Sequence, residues 1–422
     1  MVDHAQATTP PPHDEAEQPT LSPKRASRVA APGPKPRVAL AHDWLVARRG
    51  GEAVLDRIAR LVREHYTHAG VYTLFRKGVH PGGALEGMDI YTSGLNALPG
   101  SLRRWLLPLY PLAVNGLTER LAAHTAGAPI DLLVSTSSGM IKGMRAPQGA
   151  RHLCYCHAPA RYLWSVQDEY TRGGLGARMR KVGFDLFGER LRQWDRKTVA
   201  HVDSFIANSR HTAREIERCF ARDARVIHPP VRTNLFTPDP SVKREDFWLV
   251  AGALEPYKRT DLAIEAAMTA GRRLLIAGTG SELGALRAFA KQTARRLARA
   301  GLGKRRDSLV EFLGRVEDAT LIGLYRRAKC LIFPQIEDFG IVAVEAQACG
   351  CPVVARRAGG ALDSVLEGRT GCFFSEPTPA DIRKAVDQLP QGVDAQCRAH
   401  AERFSEARFD AAMLEAMETL LR

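Results

Sequence analysis

From residue 37 onward, the chain alternates between short apolar runs and longer amphipathic stretches. The runs hold four to six residues without polar alternation, which is typical of parallel strands buried on both faces. Behind the first run, Val54, Leu55, Ile58 and Leu61 recur at helical spacing after a glycine turn, which predicts α/β units. The predicted strands are Arg37–His42, Asp131–Thr136, His152–His157, Ser204–Asn208, Phe247–Gly252, Arg273–Gly278, Val310–Gly314, Lys329–Pro334 and Pro352–Ala355.

A turn-rich, proline-bearing stretch divides these units into two series, with the boundary near 232–245. We therefore predict an α/β protein of two facing, Rossmann-like doubly wound domains, 37–235 and 245–404. Ligands are expected in the cleft, at the carboxyl ends of the strands. A final helix over 405–422 follows, with packing back on the first domain as one option. Residues 1–36 are rich in Pro, Ala, Ser and charge, which predicts a disordered tail.

Composition narrows the class of protein but not its partner. The 422 residues are 45% hydrophobic and 25% charged, as in globular proteins, and carry a net charge of +14. That excess fits nucleic acid, an anionic membrane surface or a phosphorylated substrate. With 7% aromatic residues and no recognisable nucleic-acid-binding module, no nucleic-acid partner is expected.

The sequence gives no sign of a membrane-spanning helix or a signal peptide. Its longest apolar candidate, 105–117, is interrupted by Pro108, Pro111 and Asn115. Charged residues occupy the place of a signal peptide's apolar region, so we expect a reducing compartment. The eight cysteines lack the spacing of a redox pair or a zinc site and are interpreted as buried core residues, and no metal is expected.

The most informative stretch is 333–345, in which a buried strand, a polar loop and a helix follow one another. The amide groups of Phe339, Gly340 and Ile341 would point out of the helix N-terminus, which favours an anion. Glu337 and Glu345 are eight positions apart and lie on similar sides of the helix. One carboxylate can accept hydrogen bonds from the hydroxyls of a sugar, and the other from the hydroxyls of a ribose. From spacing alone, a helix N-terminal charge and a solvated helix residue explain them equally well.

These residues resemble the E-x7-E motif of retaining GT-B glycosyltransferases of family 4. Further motifs in the expected order resemble the branch of bacterial polysaccharide mannosyltransferases, and the likeness extends over nearly the whole chain from Val38. The matching motifs are His42–Trp44, Cys154–Trp164, Ala207–Ser209, Val226–Val231, Pro256–Arg259 and 337–353.

The resemblance implies a role for each matching residue. Glu337 would contact hydroxyls of the transferred sugar, and Glu345 the nucleoside ribose. Lys258 would neutralise the departing diphosphate. Many members carry an arginine five positions before this lysine; here that position is Ala253, and Arg259 is our candidate for the missing charge.

On the first domain, the resemblance places His157 at the end of a strand, facing the reacting sugar, although a lone histidine is more often structural. Gly50 and Gly51 would approach the donor phosphate, although a plain tight turn would look the same. The candidates on the acceptor side are Asp43, Arg161, Ser137 and Lys142; Arg161 fits turn capping equally well.

The resemblance implies transfer of a hexose from a nucleotide diphosphate sugar to a saccharide acceptor in exopolysaccharide or O-antigen synthesis. GDP-mannose is the donor that it favours most. The acceptor is expected to be polyprenyl-diphosphate-linked, at the cytoplasmic face of the inner membrane, with peripheral membrane contact and no cofactor. Alternatives are a UDP- or dTDP-sugar donor, a GT-B-fold epimerase, or a non-catalytic sugar-nucleotide-binding protein.

Overall fold

The computed structural model describes residues 34–46, 50–78, 82–100, 106–164, 175–302 and 306–422. Within these ranges, thirteen strands form two parallel sheets. The strands are β1 (Arg37–Leu45), β2 (Thr67–Arg76), β3 (Ile90–Thr92), β4 (Leu132–Ser137), β5 (Arg151–Cys156), β6 (Ser204–Ala207), β7 (Ala224–Val226), β8 (Phe247–Ala251), β9 (Arg273–Ala277), β10 (Val310–Gly314), β11 (Cys330–Phe333), β12 (Val353–Arg356) and β13 (Gly371–Phe374).

Helices follow most of the strands. They are α1 (Gly50–His65), α2 (Tyr110–Thr125), α3 (Arg161–Trp164), α4 (Leu175–Lys197), α5 (Arg210–Phe220), α6 (Thr260–Ala270), α7 (Leu283–Arg299), α8 (Asp318–Arg327), α9 (Ile341–Ala348), α10 (Ala361–Ser364), α11 (Pro379–Asp387), α12 (Asp394–Ala401) and α13 (Glu406–Leu421). No helix in the described part of the chain is both long enough and apolar enough to cross a bilayer.

Both sheets are doubly wound. The strand order is β3-β2-β1-β4-β5-β6-β7 in the first and β10-β9-β8-β11-β12-β13 in the second, with every pair parallel. The order reverses between β1 and β4 and again between β8 and β11. At such points the connections leave to opposite faces and open a crevice at the carboxyl ends of the strands, where α/β proteins hold their ligands. The predicted pair of doubly wound α/β domains is confirmed.

Each sheet has an apolar cluster on both faces, so its strands are continuous apolar runs. On one face of the first sheet, Val54 and Ile58 of α1 pack with Phe409, Met413 and Met417 of α13. The last helix therefore lies on the first sheet. All eight cysteines are buried thiols, as the sequence predicts.

The chain passes between the two sheets near Val231 and returns near Ser405. The Val231 amide donates to the Phe404 carbonyl over 2.9 Å, and Val231 forms a parallel bridge with Ser405. Arg57 of α1 then pairs with Glu406 over 3.1 Å and with Asp410, both on α13. These contacts fix the returning chain beside the outgoing one.

All nine predicted strands are present, and the structure adds β2, β3, β7 and β13. β3 and β7 are edge strands of three residues without a fully buried run. β2 is central, but it starts with exposed Thr67 and His68, and Gly70 interrupts it with a φ of 89°. Residues 1–33 of the predicted disordered tail, and the basic and aromatic residues 103–105, lie outside the described ranges.

Candidate functional site

A helix N-terminus forms the centre of the site. α9 begins after Gly340, whose φ of 90° is a left-handed conformation that favours glycine. A Cβ at Gly340 would also lie 2.6 Å from the Phe333 ring. The first amide groups of a helix have no partner within the helix, so Ile341 and its neighbours present donors at this end. The side chain of Phe339 is buried and stacks on His228, so this residue offers its backbone alone.

Lys258 and Glu337 meet beside this helix end. Lys258 ends a short 3-10 turn after β8, Glu337 lies in the loop after β11, and their side chains form an ion pair. The Gly360 amide donates to the Glu337 carbonyl over 2.7 Å, which fixes the loop. Burial, and then Arg161, lower the pKa of Lys258 to about 7. The carboxylates of Asp338 and Glu255 oppose this shift, because they favour the ammonium form of the lysine.

Glu345 is half-buried on α9, eight residues after Glu337. Burial raises the pKa of its carboxyl to about 7; Arg232 opposes this shift and Asp318 adds to it. Arg232 and Asp318 form their own ion pair at 2.7 Å. Glu345 is therefore poised between its charged and neutral forms near neutral pH.

The first sheet brings its glycine turn to the same place. A Cβ at Gly50 would lie 3.2 Å from Ile341 Cδ1, so the N-termini of α1 and α9 approach each other. A Cβ at Gly51 would lie 3.6 Å from His157 Nε2 and 3.7 Å from His42 Cε1. The structure therefore brings the two predicted glycines and His157 together with the end of α9.

His157 follows β5 and is neutral. Burial, with His42 as a smaller contribution, lowers its pKa to about 3. Its Nε2 is buried and has no hydrogen-bond partner among the described residues. Sequence reasoning did not select His42, whose ring stands edge-on to His157 and whose Nδ1 lies 2.6 Å from Thr136 Oγ1. Its position near the carboxyl end of β1 was the available signal.

Three of the predicted acceptor-side residues are structural instead. The buried Asp43 carboxylate accepts from four consecutive amides, 138–141, over 2.7–2.9 Å. Ser137 is also buried, and its hydroxyl donates to Asp43 over 3.2 Å. Both side chains hold the loop after β4, so the expectation that they face an acceptor was wrong.

Lys142 is the clearest correction. Its ammonium is 1% exposed and pairs with Asp195, which is fully buried, at 2.7 Å. It also donates to the Asp195 carbonyl over 2.8 Å and lies 4.5 Å from the centre of the Phe220 ring. A buried cation with these partners fixes α4 against the loop after β4 and has no open surface for a ligand.

Arg161, the fourth acceptor-side candidate, reaches the second sheet. Its Nη2 lies 2.6 Å from Oδ2 of Asp338, the residue that follows Glu337 in the sequence. Its guanidinium lies 5.9 Å from the centre of the Tyr257 ring. Arg259, expected at the donor, pairs with Asp261 at 3.0 Å. Asp338 and Tyr257 were not predicted; their adjacency to Glu337 and Lys258 was the only signal.

Two protein-family models match successive parts of this chain. Residues 48–235 match the family model of Glycosyltransferase Family 4, and residues 231–407 match that of Glycosyl transferases group 1. Among curated relatives, the D-inositol 3-phosphate glycosyltransferase 2 of Catenulispora acidiphila is 32% identical over 213 residues, 46% of this chain and 49% of that protein. The D-inositol 3-phosphate glycosyltransferase of Mycolicibacterium smegmatis is 32% identical over 52% of this chain and 54% of its own length. The chain thus spans about half the length of the relatives it matches.

Solved structures with little sequence identity share the fold. Anabaena HepE in complex with UDP is 17% identical, with a TM-score of 0.66 over 91% of this chain and 100% of that chain. Sucrose-phosphate synthase from Thermosynechococcus elongatus is 17% identical, with a TM-score of 0.66 over 92% and 99% of the two chains. Together with the two parallel-sheet domains, these neighbours identify the fold as GT-B.

Proposed function

We propose that this chain, in which a Glycosyltransferase Family 4 domain is followed by a Glycosyl transferases group 1 domain, is a retaining glycosyltransferase that uses a nucleotide diphosphate sugar. The observation that carries the proposal is the meeting of Lys258 and Glu337 beside the N-terminus of α9, with Gly50 and His157 of the other sheet close by. A cation, a carboxylate and the amides of a helix N-terminus match a phosphate and a sugar bound side by side.

In this proposal, the diphosphate lies at the N-terminus of α9. Lys258 leaves Glu337 and pairs with the phosphate, where negative charge grows as the glycosidic bond breaks. Glu337 then accepts hydrogen bonds from the transferred sugar, and Glu345 from the ribose. Neutral His157 offers its unpaired Nε2 to a hydroxyl near the anomeric carbon. The departing phosphate takes the acceptor's proton, so the side chains serve alignment and charge stabilisation.

For the donor, we propose GDP-mannose, on the basis of the mannosyltransferase-like motifs at 154–164 and 256–259. UDP- and dTDP-sugars are the alternatives, and the HepE structures with UDP and with UDP-glucose favour the uridine nucleotide. Donor selection is separable from the site chemistry, because Lys258 and Glu337 face the part that all these nucleotide sugars share.

For the acceptor, we propose a lipid-diphosphate-linked saccharide at the cytoplasmic face of the membrane. An apolar groove of about 350 Å³ lies between α2 and the segment 92–95 of the first sheet. Leu112 and Leu109 on its rim are 67% and 42% exposed, and Arg120 also lines it. Exposed leucines beside a cation suit contact with lipid. The names of the curated relatives point to D-inositol 3-phosphate as a second candidate acceptor.

The donor is tested by thermal unfolding with GDP-, UDP-, dTDP- and ADP-sugars, followed by assays for transfer. A true donor at about 100 times its dissociation constant stabilises the fold by about 2.7 kcal/mol. Release of nucleoside diphosphate with retained anomeric configuration in the product would support the proposal. Conversion of the sugar nucleotide without transfer would indicate an epimerase, and binding without turnover on any acceptor would indicate a non-catalytic protein.

Membrane contact is tested by co-flotation with vesicles containing anionic or only zwitterionic lipid. We expect binding to anionic vesicles, and its loss in the variant Leu109→Asp/Leu112→Asp. The matched control is Leu302→Asp, which changes a leucine of 45% exposure outside the groove. Equal flotation of all three proteins would contradict a contact through this groove.

A further inference from the structure

A nucleoside diphosphate carries at least two negative charges, and Lys258 supplies one positive charge. We propose that Arg161 is the second cation that binds the donor diphosphate, contributed from the first sheet to a site built mainly on the second. The inference rests on the proposed function, because it assumes that a nucleoside diphosphate binds beside Lys258.

Arg161 already lies next to Lys258 in the structure. Both cations lie near the Tyr257 ring: Lys258 Nζ is 5.2 Å and the Arg161 guanidinium carbon 5.9 Å from its centre. The positive charge of Arg161 also disfavours the charged form of Lys258, which lowers the lysine's pKa. Two mutually repelling cations at one ring are an arrangement that a dianionic ligand would relieve.

The partners of the two cations are adjacent in sequence. Lys258 pairs with Glu337, and Arg161 pairs with Asp338 over 2.6 Å. The Arg161 and Asp338 side chains are 30% and 24% exposed, so a ligand can reach both. Glu337 and Asp338 therefore neutralise the two cations at the positions where the phosphates would bind.

Arg259 is the competing candidate for the second cation. Its Nε and Nη2 donate to the two carboxylate oxygens of Asp261 over 3.1 and 3.0 Å, a two-pronged pair at the start of α6. Arg161 pairs instead with Asp338, a carboxylate of the other sheet that lies next to Glu337. Exchange of that carboxylate for a phosphate preserves a charge-assisted hydrogen bond, and a guanidinium matches phosphate geometry well.

The alternative is that Arg161 only ties the two sheets together through Asp338. The two roles predict opposite effects of changing Asp338. If Arg161 binds phosphate, Asp338 competes with the ligand, so Asp338→Asn strengthens diphosphate binding. If the ion pair is only a latch, Asp338→Asn and Arg161→Ala break the same contact and act alike.

The test is calorimetric titration of the full chain with GDP and UDP, and with GMP and UMP. For whichever diphosphate binds the wild type, we expect Arg161→Ala to weaken binding about ten- to a hundredfold. Monophosphate binding should change less than about threefold. The diphosphate affinity of Arg161→Lys should lie between those of the wild type and Arg161→Ala. Asp338→Asn should bind the diphosphate as tightly as the wild type or more tightly. Thermal unfolding checks that each variant folds.

Controls separate this inference from the proposed function. Lys258→Ala must also weaken diphosphate binding, and Arg218→Ala, which breaks an exposed ion pair on the same domain, must not. Wild-type diphosphate affinity in Arg161→Ala alongside weakened Lys258→Ala would overturn the role of Arg161 and leave the proposed function standing. A similar loss of diphosphate affinity in Arg161→Ala and Asp338→Asn would show instead that the ion pair only ties the two sheets together. No diphosphate binding by the wild type would overturn the proposed function itself.

Discussion

At the carboxyl edge of the first sheet, Asp43, Ser137 and Lys142 are buried and bond to the protein itself. At the corresponding edge of the second sheet, Lys258, Glu337 and Glu345 remain partly exposed beside a helix N-terminus. Both sheets have the same doubly wound arrangement. The difference shows that a polar residue after a parallel strand can hold a loop or face a ligand, and that the surrounding packing decides which.

Lys142 gives the most direct test of this difference between the two sheet edges. Lys142→Met leaves the Asp195 carboxylate without its ammonium partner in the interior, and we expect the free energy of unfolding to fall by about 3–5 kcal/mol. Chemical denaturation measures this loss. The control is Lys329→Met, which removes an exposed ion pair with Asp246 and should change stability by less than about 1 kcal/mol. Equal effects would mean that Lys142 is not a structural cation.

Lys258→Ala tests the opposite edge. It removes the cation beside Glu337, and we expect turnover with the true donor to fall about 100- to 1,000-fold, because the charge that develops on the phosphate loses its partner. The midpoint of thermal unfolding should stay close to that of the wild type. Lys384→Ala, on the exposed face of α11, is the matched control. Wild-type turnover in Lys258→Ala would remove this residue from the site.

The ionisation of Glu345, at the edge of the second sheet, should make the stability of the protein depend on pH. Its pKa is raised from 4.5 to about 7 in the folded protein, so the fold binds this proton more tightly than the unfolded chain does. The resulting stabilisation is complete below pH 4.5 and is lost as the pH rises to 7. Glu345→Gln should therefore be more stable than the wild type at pH 8, by about 1–2 kcal/mol after allowance for solvent screening.

Denaturation of both proteins between pH 4.5 and 8 measures this difference. The gap between Glu345→Gln and the wild type should open as the pH rises. A gap that stays constant with pH would show that burial does not shift this carboxyl. Donor affinity of the wild type should also rise over the same interval, because the ionised form is the better acceptor for ribose hydroxyls.

The smallest effect is expected where the end of the chain joins the first sheet. Arg57→Ala removes the ion pairs with Glu406 and Asp410 of α13, and we expect a loss of about 1 kcal/mol in the free energy of unfolding. Arg225→Ala breaks an exposed pair with Glu415 of the same helix and should have almost no effect. Equal losses in both variants would mean that partial burial adds nothing to the first contact.

The sequence by itself determined nine of the buried strands and their order in two series, and the succession of strand, loop and helix over 333–345. These features are local: each depends on which apolar and small residues follow one another within about a dozen positions. It did not determine the short edge strands, because three partly exposed residues carry no periodic signal.

The tertiary structure alone decided what the isolated polar residues do. Asp43 could be recognised as a loop anchor only when four amides of a segment almost a hundred residues away were placed around it. Lys142 likewise required Asp195, and Arg161 required Asp338 of the other sheet. A charge acquires its role from the desolvation and the partner that folding gives it, and those partners are distant in the sequence.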